Sequence, residues 1–289
     1  MNRTAVKLGA FLVGLGAAFL AAFALGGAFD TLREPGATAA GHAADAAGQD
    51  GMAAMDGGHG ATVATRGLAV SEGGLTLRLA QASVPAGVTR PLRFRVLDAD
   101  GATVRDFDVE HTKRLHLIVV RRDLTGFQHL HPTQAADGGW SVPLRLAEPG
   151  AYRVFADFSH RGTPRTLAAD LQVDGAVRSR PLPPATSVAE VDGLRVALDA
   201  GAGRAGQESE LGFTVTHDGR PVALADYLGA KGHLVALREG DLAFLHVHPD
   251  ADSLRFMATF PTAGTYRLFL QFKAGGRLHT VAFTHEVTP

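Results

Sequence analysis

The sequence predicts a mainly β protein: two tandem immunoglobulin-like antiparallel β-sandwich domains behind one N-terminal transmembrane helix. Three observations predict it. The chain repeats itself over about a hundred residues, a normal domain size. Within each copy, short runs alternate apolar and polar residues and are punctuated by Gly, Pro and Asp, the pattern of half-buried strands joined by tight turns. One long uncharged apolar run stands at the start and little helical periodicity follows it.

That run, residues 8–29, is 22 residues long. At 1.5 Å per residue it crosses a hydrocarbon core of about 30 Å. Arg3 and Lys7 precede it and no basic cluster follows at once, so the N-terminus stays cytoplasmic and the remainder is exported. Residues 1–34 therefore read as a cytoplasmic tip and a single-pass anchor in the cell membrane. The alternative is a signal peptide cleaved near Ala22-Phe23-Ala24, which would leave a secreted protein. Residues 35–65 are dominated by Ala and Gly and hold almost no large apolar side chain, so they form a flexible tether. The tether carries His42, Met52, Met55 and His59, a set of soft thioethers and imidazoles suited to Cu(I).

The first sandwich is expected over residues 66–175 and the second over 188–289, with a proline-rich linker at 176–187. "GLTLRLA" at Gly74 matches "GLRVALD" at Gly193; "LRFRV" at Leu92 matches "LGFTV" at Leu211; "PGAYRVFADF" at Pro149 matches "AGTYRLFLQF" at Ala263. Alternation of Leu75, Leu77 and Leu79, and of Leu92, Phe94 and Val96, marks strands with one buried face. Trp140 reads as core or edge packing.

The repeat also preserves three histidines in register. His116, His129 and His131 in "HLIVVRRDLTGFQHLHP" superpose without a gap on His233, His246 and His248 in "HLVALREGDLAFLHVHP". If residues 115–121 and 127–131 are the arms of a hairpin turning near Asp123 and Leu124, His116 faces His131, and His129 joins them because residues i and i+2 share a strand face. The same construction puts His233 opposite His248, with a turn at Gly240-Asp241. Each copy then presents three imidazoles to one point, an arrangement common for copper or zinc, and each is expected to be a separate site. Asp157 aligns with Gln271 and is expected to add an oxygen ligand or supporting partner in the first copy only. Imidazoles with ordinary pKa values near 6.5 would lose such an ion between about pH 7 and pH 5. His111, His160, His279 and His285 have no counterpart in the other copy and read as surface or satisfied side chains. Gly229 and Gly232, in "DYLGAKGH", suggest a special turn or close backbone approach beside the second trio.

A net charge of -1 excludes the basic footprint of a nucleic-acid binder. The absence of cysteine excludes thiolate catalysis, zinc–cysteine sites and blue-copper centres. No Walker-type loop, dinucleotide fingerprint or nucleophile elbow occurs in either copy.

"HLIVVRRDLTGFQHLHP" and "YLGAKGHLVALREGDLAFLHVHP" resemble secreted or membrane-anchored tandem β-sandwich proteins of high-GC bacteria. More loosely, the chain is similar to exported copper-resistance sandwiches of the CopC and YtkA kind. The resemblance implies an exported, heavy-metal-linked protein. The amino-terminal histidine ligand of the CopC type is not carried over, because this chain has no such terminus. The leading expectation is a membrane-anchored extracytoplasmic metal-binding protein, for copper with zinc as the alternative, that sequesters or transfers ions. The competing readings are a tandem interaction module with structural histidines and, third, a metal-dependent enzyme.

Overall fold

Both copies are built from β-strands, and no helix occurs among the described residues. The computed structural model describes residues 65–289 apart from 202, 246, 250 and 251, with the backbone alone at 248 and 249. The apolar run 8–29 and the tether with His42, Met52, Met55 and His59 lie outside the described residues. Among those described, no helix is long and apolar enough to cross a membrane.

In the first copy the strands are β1 (Ser71–Glu72), β2 (Leu75–Leu79), β3 (Ser83–Pro85), β4 (Arg90–Leu97), β5 (His116–Arg121), β6 (Gln128–Leu130), β7 (Thr133–Gln134), β8 (Trp140–Leu144), β9 (Gly150–His160) and β10 (Thr163–Asp174). One sheet has the order β1-β2-β4-β8-β7 and the other β3-β10-β9-β5-β6. The second copy has β11 (Val188–Val191), β12 (Leu194–Ala200), β13 (Gly203–Arg204), β14 (Glu208–His217), β15 (Arg220–Pro221), β16 (Leu224–Ala225), β17 (Gly232–Arg238), β18 (Phe244–Leu245), β19 (His248–Pro249), β20 (Arg255–Thr259), β21 (Gly264–Ala274) and β22 (Arg277–Thr288). Its sheets run β11-β12-β14-β20-β19 and β13-β22-β21-β17-β18, with β15 and β16 as short additions. All pairings are antiparallel except β3 with β10 and β13 with β22.

The alternation read in the sequence fills the space between the two sheets of each copy. Leu77, Phe94 and Val96 meet Leu117, Val119 and Val154 in the first core, and Phe213 and Phe256 meet Leu268 and Phe283 in the second. Trp140 belongs to the first core, edge-on to Phe107 with ring centroids 5.2 Å apart.

Where sequence and structure part is on the outer face of β5 and β17. Every residue of β5 is buried. Leu117 and Val119 point into their own core, so His116, Ile118 and Val120 point the other way. That outer face is covered by the second copy: Ile118, Val120 and Phe155 join Val235, Leu237, Phe244 and Phe269 in a third apolar cluster. Phe127 stacks on Phe269 with centroids 4.1 Å apart, and Phe155 meets Phe244 at 5.5 Å. In the repeat Phe127 corresponds to Phe244 and Phe155 to Phe269, so the pairs are exchanged across a local two-fold relation.

The chain entering the first domain closes this seam. Phe244 N–H donates to the Arg66 carbonyl at 2.9 Å and Gly67 N–H to the Thr166 carbonyl at 3.1 Å. Gly67 has φ +71°, and a Cβ there would stand 2.8 Å from both Phe155 and Phe244, so no other residue fits without displacement. The proline-rich linker is also held: Arg180 N–H donates to Asp123 Oδ2 at 3.0 Å, its guanidinium pairs with Glu148, and Leu182 packs on the seam.

Candidate metal centre

The first trio is assembled by the hairpin of β5 and β6. The register pairs Leu117 with Leu130 and Ile118 with His129. Continuing it by one step sets His116 opposite His131, as the spacing requires. Arg121 fixes the turn by a two-pronged bond to Asp123 at 2.8 and 2.6 Å, and Leu124 takes a positive φ of 60° to reverse the chain. One potential ligand atom from each of His116, His129 and His131 lies within 4.8 Å of the others. A tetrahedral ion with bonds of about 2.0–2.1 Å sets its ligand atoms about 3.4 Å and its imidazole centroids about 5.2 Å apart. The three centroids are separated by 5.2, 5.1 and 4.9 Å. The rings already stand at coordination spacing.

Their outer hydrogen bonds select which nitrogen faces inward. His116 Nε2 donates to the Glu110 carbonyl at 3.3 Å, and His129 Nδ1 donates to Gln271 Oε1 at 2.8 Å. Both oxygens only accept, so in neutral rings His116 Nδ1 and His129 Nε2 carry lone pairs. These two nitrogens are 3.0 Å apart. Two facing lone pairs repel unless a cation lies beside them. In this orientation Gln271 Nε2 donates to Thr280 Oγ1 at 3.0 Å, a hydroxyl that serves either orientation of the amide. Turning that amide over would instead run a proton chain through both rings to Glu110, the metal-free arrangement. His131 Nε2 is buried with no hydrogen-bond partner, a costly state for a polar atom.

Burial keeps the rings neutral. It pushes His116 down to about 3 against the bond to Glu110. It pushes His131 down to about 4, with the Lys113 charge adding to the effect. His129 is held well below its ordinary value, first by burial and then by the neighbouring imidazoles.

The second copy does not build an independent site from its described side chains. His233 turns towards the first trio, with its ring 6.4 Å from His116 and 6.1 Å from His129. His233 is brought there because the outer faces of β5 and β17 pack together. His246 lies outside the described residues, and His248 is placed only by its backbone, on β19 opposite Met257. His233 Nε2 donates to the Tyr227 carbonyl at 2.9 Å, six residues upstream, the same offset as Glu110 from His116. Each carbonyl sits on a tight turn with two positive φ values, His111 and Thr112 in one copy and Leu228 and Gly229 in the other. Gly229 is thus the special turn the sequence suggested, and Gly232 is the close approach: a Cβ there would stand 2.5 Å from Leu254.

Asp157 is not part of the close trio. It lies opposite His116 in the β5–β9 register, accepts from Thr166 Oγ1 at 2.7 Å, and burial raises it to about 6. The supporting oxygen on the first trio is Gln271, its counterpart from the other domain. His111 is exposed, as the sequence reading expected of a surface side chain, and it stands at the rim of the cluster. Its ring lies 5.5 Å from His233 and 6.3 Å from His116. No repeat signal marks it, because Leu228 fills its place. Together His111, His116, His129, Asp157 and His233 line a cavity of about 50 Å³ at the seam. His160, His279 and His285 stand elsewhere: His160 bonds to the Asp106 carbonyl, His279 to Asp192, and His285 Nε2 is buried beside Phe260 without a partner.

A family model described as a domain of unknown function, DUF8832, matches residues 69–175 and again residues 189–289. The chain belongs to the DUF8832 family. Residues of both DUF8832 domains line the seam cavity, His111, His116, His129 and Asp157 from the first and His233 from the second. No curated protein matches the sequence significantly. Among solved structures, the adhesin FdeC of Escherichia coli is 19% identical over 76% of this chain and 66% of its own, with a TM-score of 0.27. Salmonella alpha-2-macroglobulin reacted with methylamine is 15% identical over 79% of this chain and 15% of its own, at 0.28. InvD of Yersinia pseudotuberculosis is 14% identical over 76% and 58%, at 0.27. These overlaps bear on neither the site nor its chemistry.

Proposed function

We propose that this is an extracytoplasmic metal-binding protein, anchored by residues 8–29, whose His116, His129 and His131 hold a copper ion, with zinc as the alternative, for sequestration or transfer. Its two sandwiches are of immunoglobulin-like type, serving as the frame for that site. The observation that carries the reading is the convergence of three buried imidazoles, with His116 Nδ1 and His129 Nε2 3.0 Å apart and each of these two rings also bonded on its far side. Supported imidazoles of this kind are what metal sites use to set tautomer and basicity. His131 Nε2, buried without a hydrogen-bond partner, is free to join them as a ligand atom. His42, Met52, Met55 and His59 then serve as a soft capture segment on the tether.

The test is the metal content of the purified protein and its titration with copper and zinc. The wild type is expected to bind at the trio, and His129→Ala/His131→Ala to lose that binding. Equal binding by both proteins refutes the site.

A further inference from the structure

We infer that a bound ion draws in His233 of the second domain as its fourth imidazole, making one closed four-histidine centre shared across the domain seam. This deepens the proposed function and rests on the trio being a metal site.

Four observations carry it. The trio's centroids are already near the 5.2 Å or so that a tetrahedral ion imposes, while His233 stands at 6.1 and 6.4 Å from His129 and His116. It has roughly 1 Å to close on these two rings. Its tautomer is set for the task. The bond from Nε2 to the Tyr227 carbonyl leaves Nδ1 with the lone pair, as the equivalent bond to Glu110 does for His116. Its position is tied to the trio: on β17, His233 lies opposite Gln271 in the strand register, and Gln271 is the residue that holds His129. The space that His116, His129 and His233 share is small, because the cavity they line is about 50 Å³ and accommodates little more than a water or two.

A closed site has a functional meaning. Catalytic zinc and copper centres keep an exchangeable position, whereas four protein ligands hold the ion and exclude substrate. The shared centre therefore stores or hands over the ion. It also links the domains, since removing the ion removes a bond between them.

Co(II) tests this in the full chain, using a His42→Ala/His59→Ala background so that tether imidazoles do not contribute. The cobalt spectrum reports coordination, and azide reports an open position. The expected result is one Co(II) per chain whose spectrum azide does not change. His233→Ala should bind at least tenfold more weakly, with a spectrum that azide now shifts. His129→Ala should lose binding altogether. An azide-sensitive centre in the unmutated trio, two ions per chain, or unchanged affinity in His233→Ala would overturn the shared centre and leave the trio standing. Unchanged binding in His129→Ala would overturn the metal reading itself. Because the azide measurement needs no change at His233, a folding defect in that variant does not spare the inference.

Discussion

Acidification separates this site from an exposed histidine cluster. Three imidazoles titrating near 6.5 would each cost about 2 kcal/mol to keep neutral at pH 5, roughly 6 kcal/mol together, and the ion would be lost between pH 7 and pH 5. Burial changes the window. With His116 at about 3, His131 at about 4 and His129 well below its ordinary value, the folded rings are already neutral at pH 5. Proton competition at pH 5 is then negligible. At pH 3 it costs roughly 2 kcal/mol from His116 and His131 together, at about 1.4 kcal/mol per pH unit below each value. Zn(II) affinity should therefore change less than about threefold between pH 7 and pH 5 and fall steeply only below about pH 4. Competition against a chelator of known proton affinity, at pH 7, 6, 5 and 4, measures it. Because a carboxylate site would also persist at pH 5, the series is run beside His129→Ala, expected to bind at least a hundredfold more weakly at every pH. A loss of more than tenfold between pH 7 and pH 5 in the wild type refutes the buried, neutral trio.

The metal-free fold follows the same linkage. Lowered histidine pKa values mean that the unfolded chain binds more protons below about pH 6.5, so stability present above that pH is lost as pH falls towards 4 and 3. Asp157, raised to about 6, opposes this between about pH 6 and 4, and a melting series without metal should show the histidines winning. Gln271→Leu removes the acceptor on His129 and should weaken metal binding by about 10- to 100-fold with the fold intact, as seen by titration and circular dichroism. Gly67→Val combines a disfavoured φ with a clash at Phe155 and Phe244 and should cost about 2–4 kcal/mol by denaturant unfolding. Phe269→Ala should cost about 3–5 kcal/mol and split one unfolding transition into two, because its stack on Phe127 joins the domains. Met52→Leu/Met55→Leu should weaken Cu(I) binding much more than Zn(II); equal effects would leave the tether a spacer.

The hairpin holding His116, His129 and His131 was legible because strand geometry has a period of two and the turn length fixes the register. The domain seam was written less plainly. "HLIVVR" and "GHLVALR" are apolar without alternation, the mark of strands buried on both faces, whereas the histidine spacing within them speaks only to the hairpin. Once the seam is known, the approach of His233 to the first trio follows, and Gln271 is placed to bond to His129. His111 reaches the rim of the cluster on a turn that its counterpart builds with Leu228, a placement that comparing the repeats does not reveal.

The linker anchored by Arg180 and Leu182 changes the kinetics of the centre. A cluster made from two separate polypeptides would dissociate on dilution and reassemble in a second-order step. Here the halves are covalently joined, so each sees the other at a local concentration of about millimolar or above, whatever the protein's abundance. Docking is unimolecular, and a few copies would be as competent as many. The same tethering makes exchange of second domains between neighbouring chains the characteristic hazard of any substitution that weakens the seam.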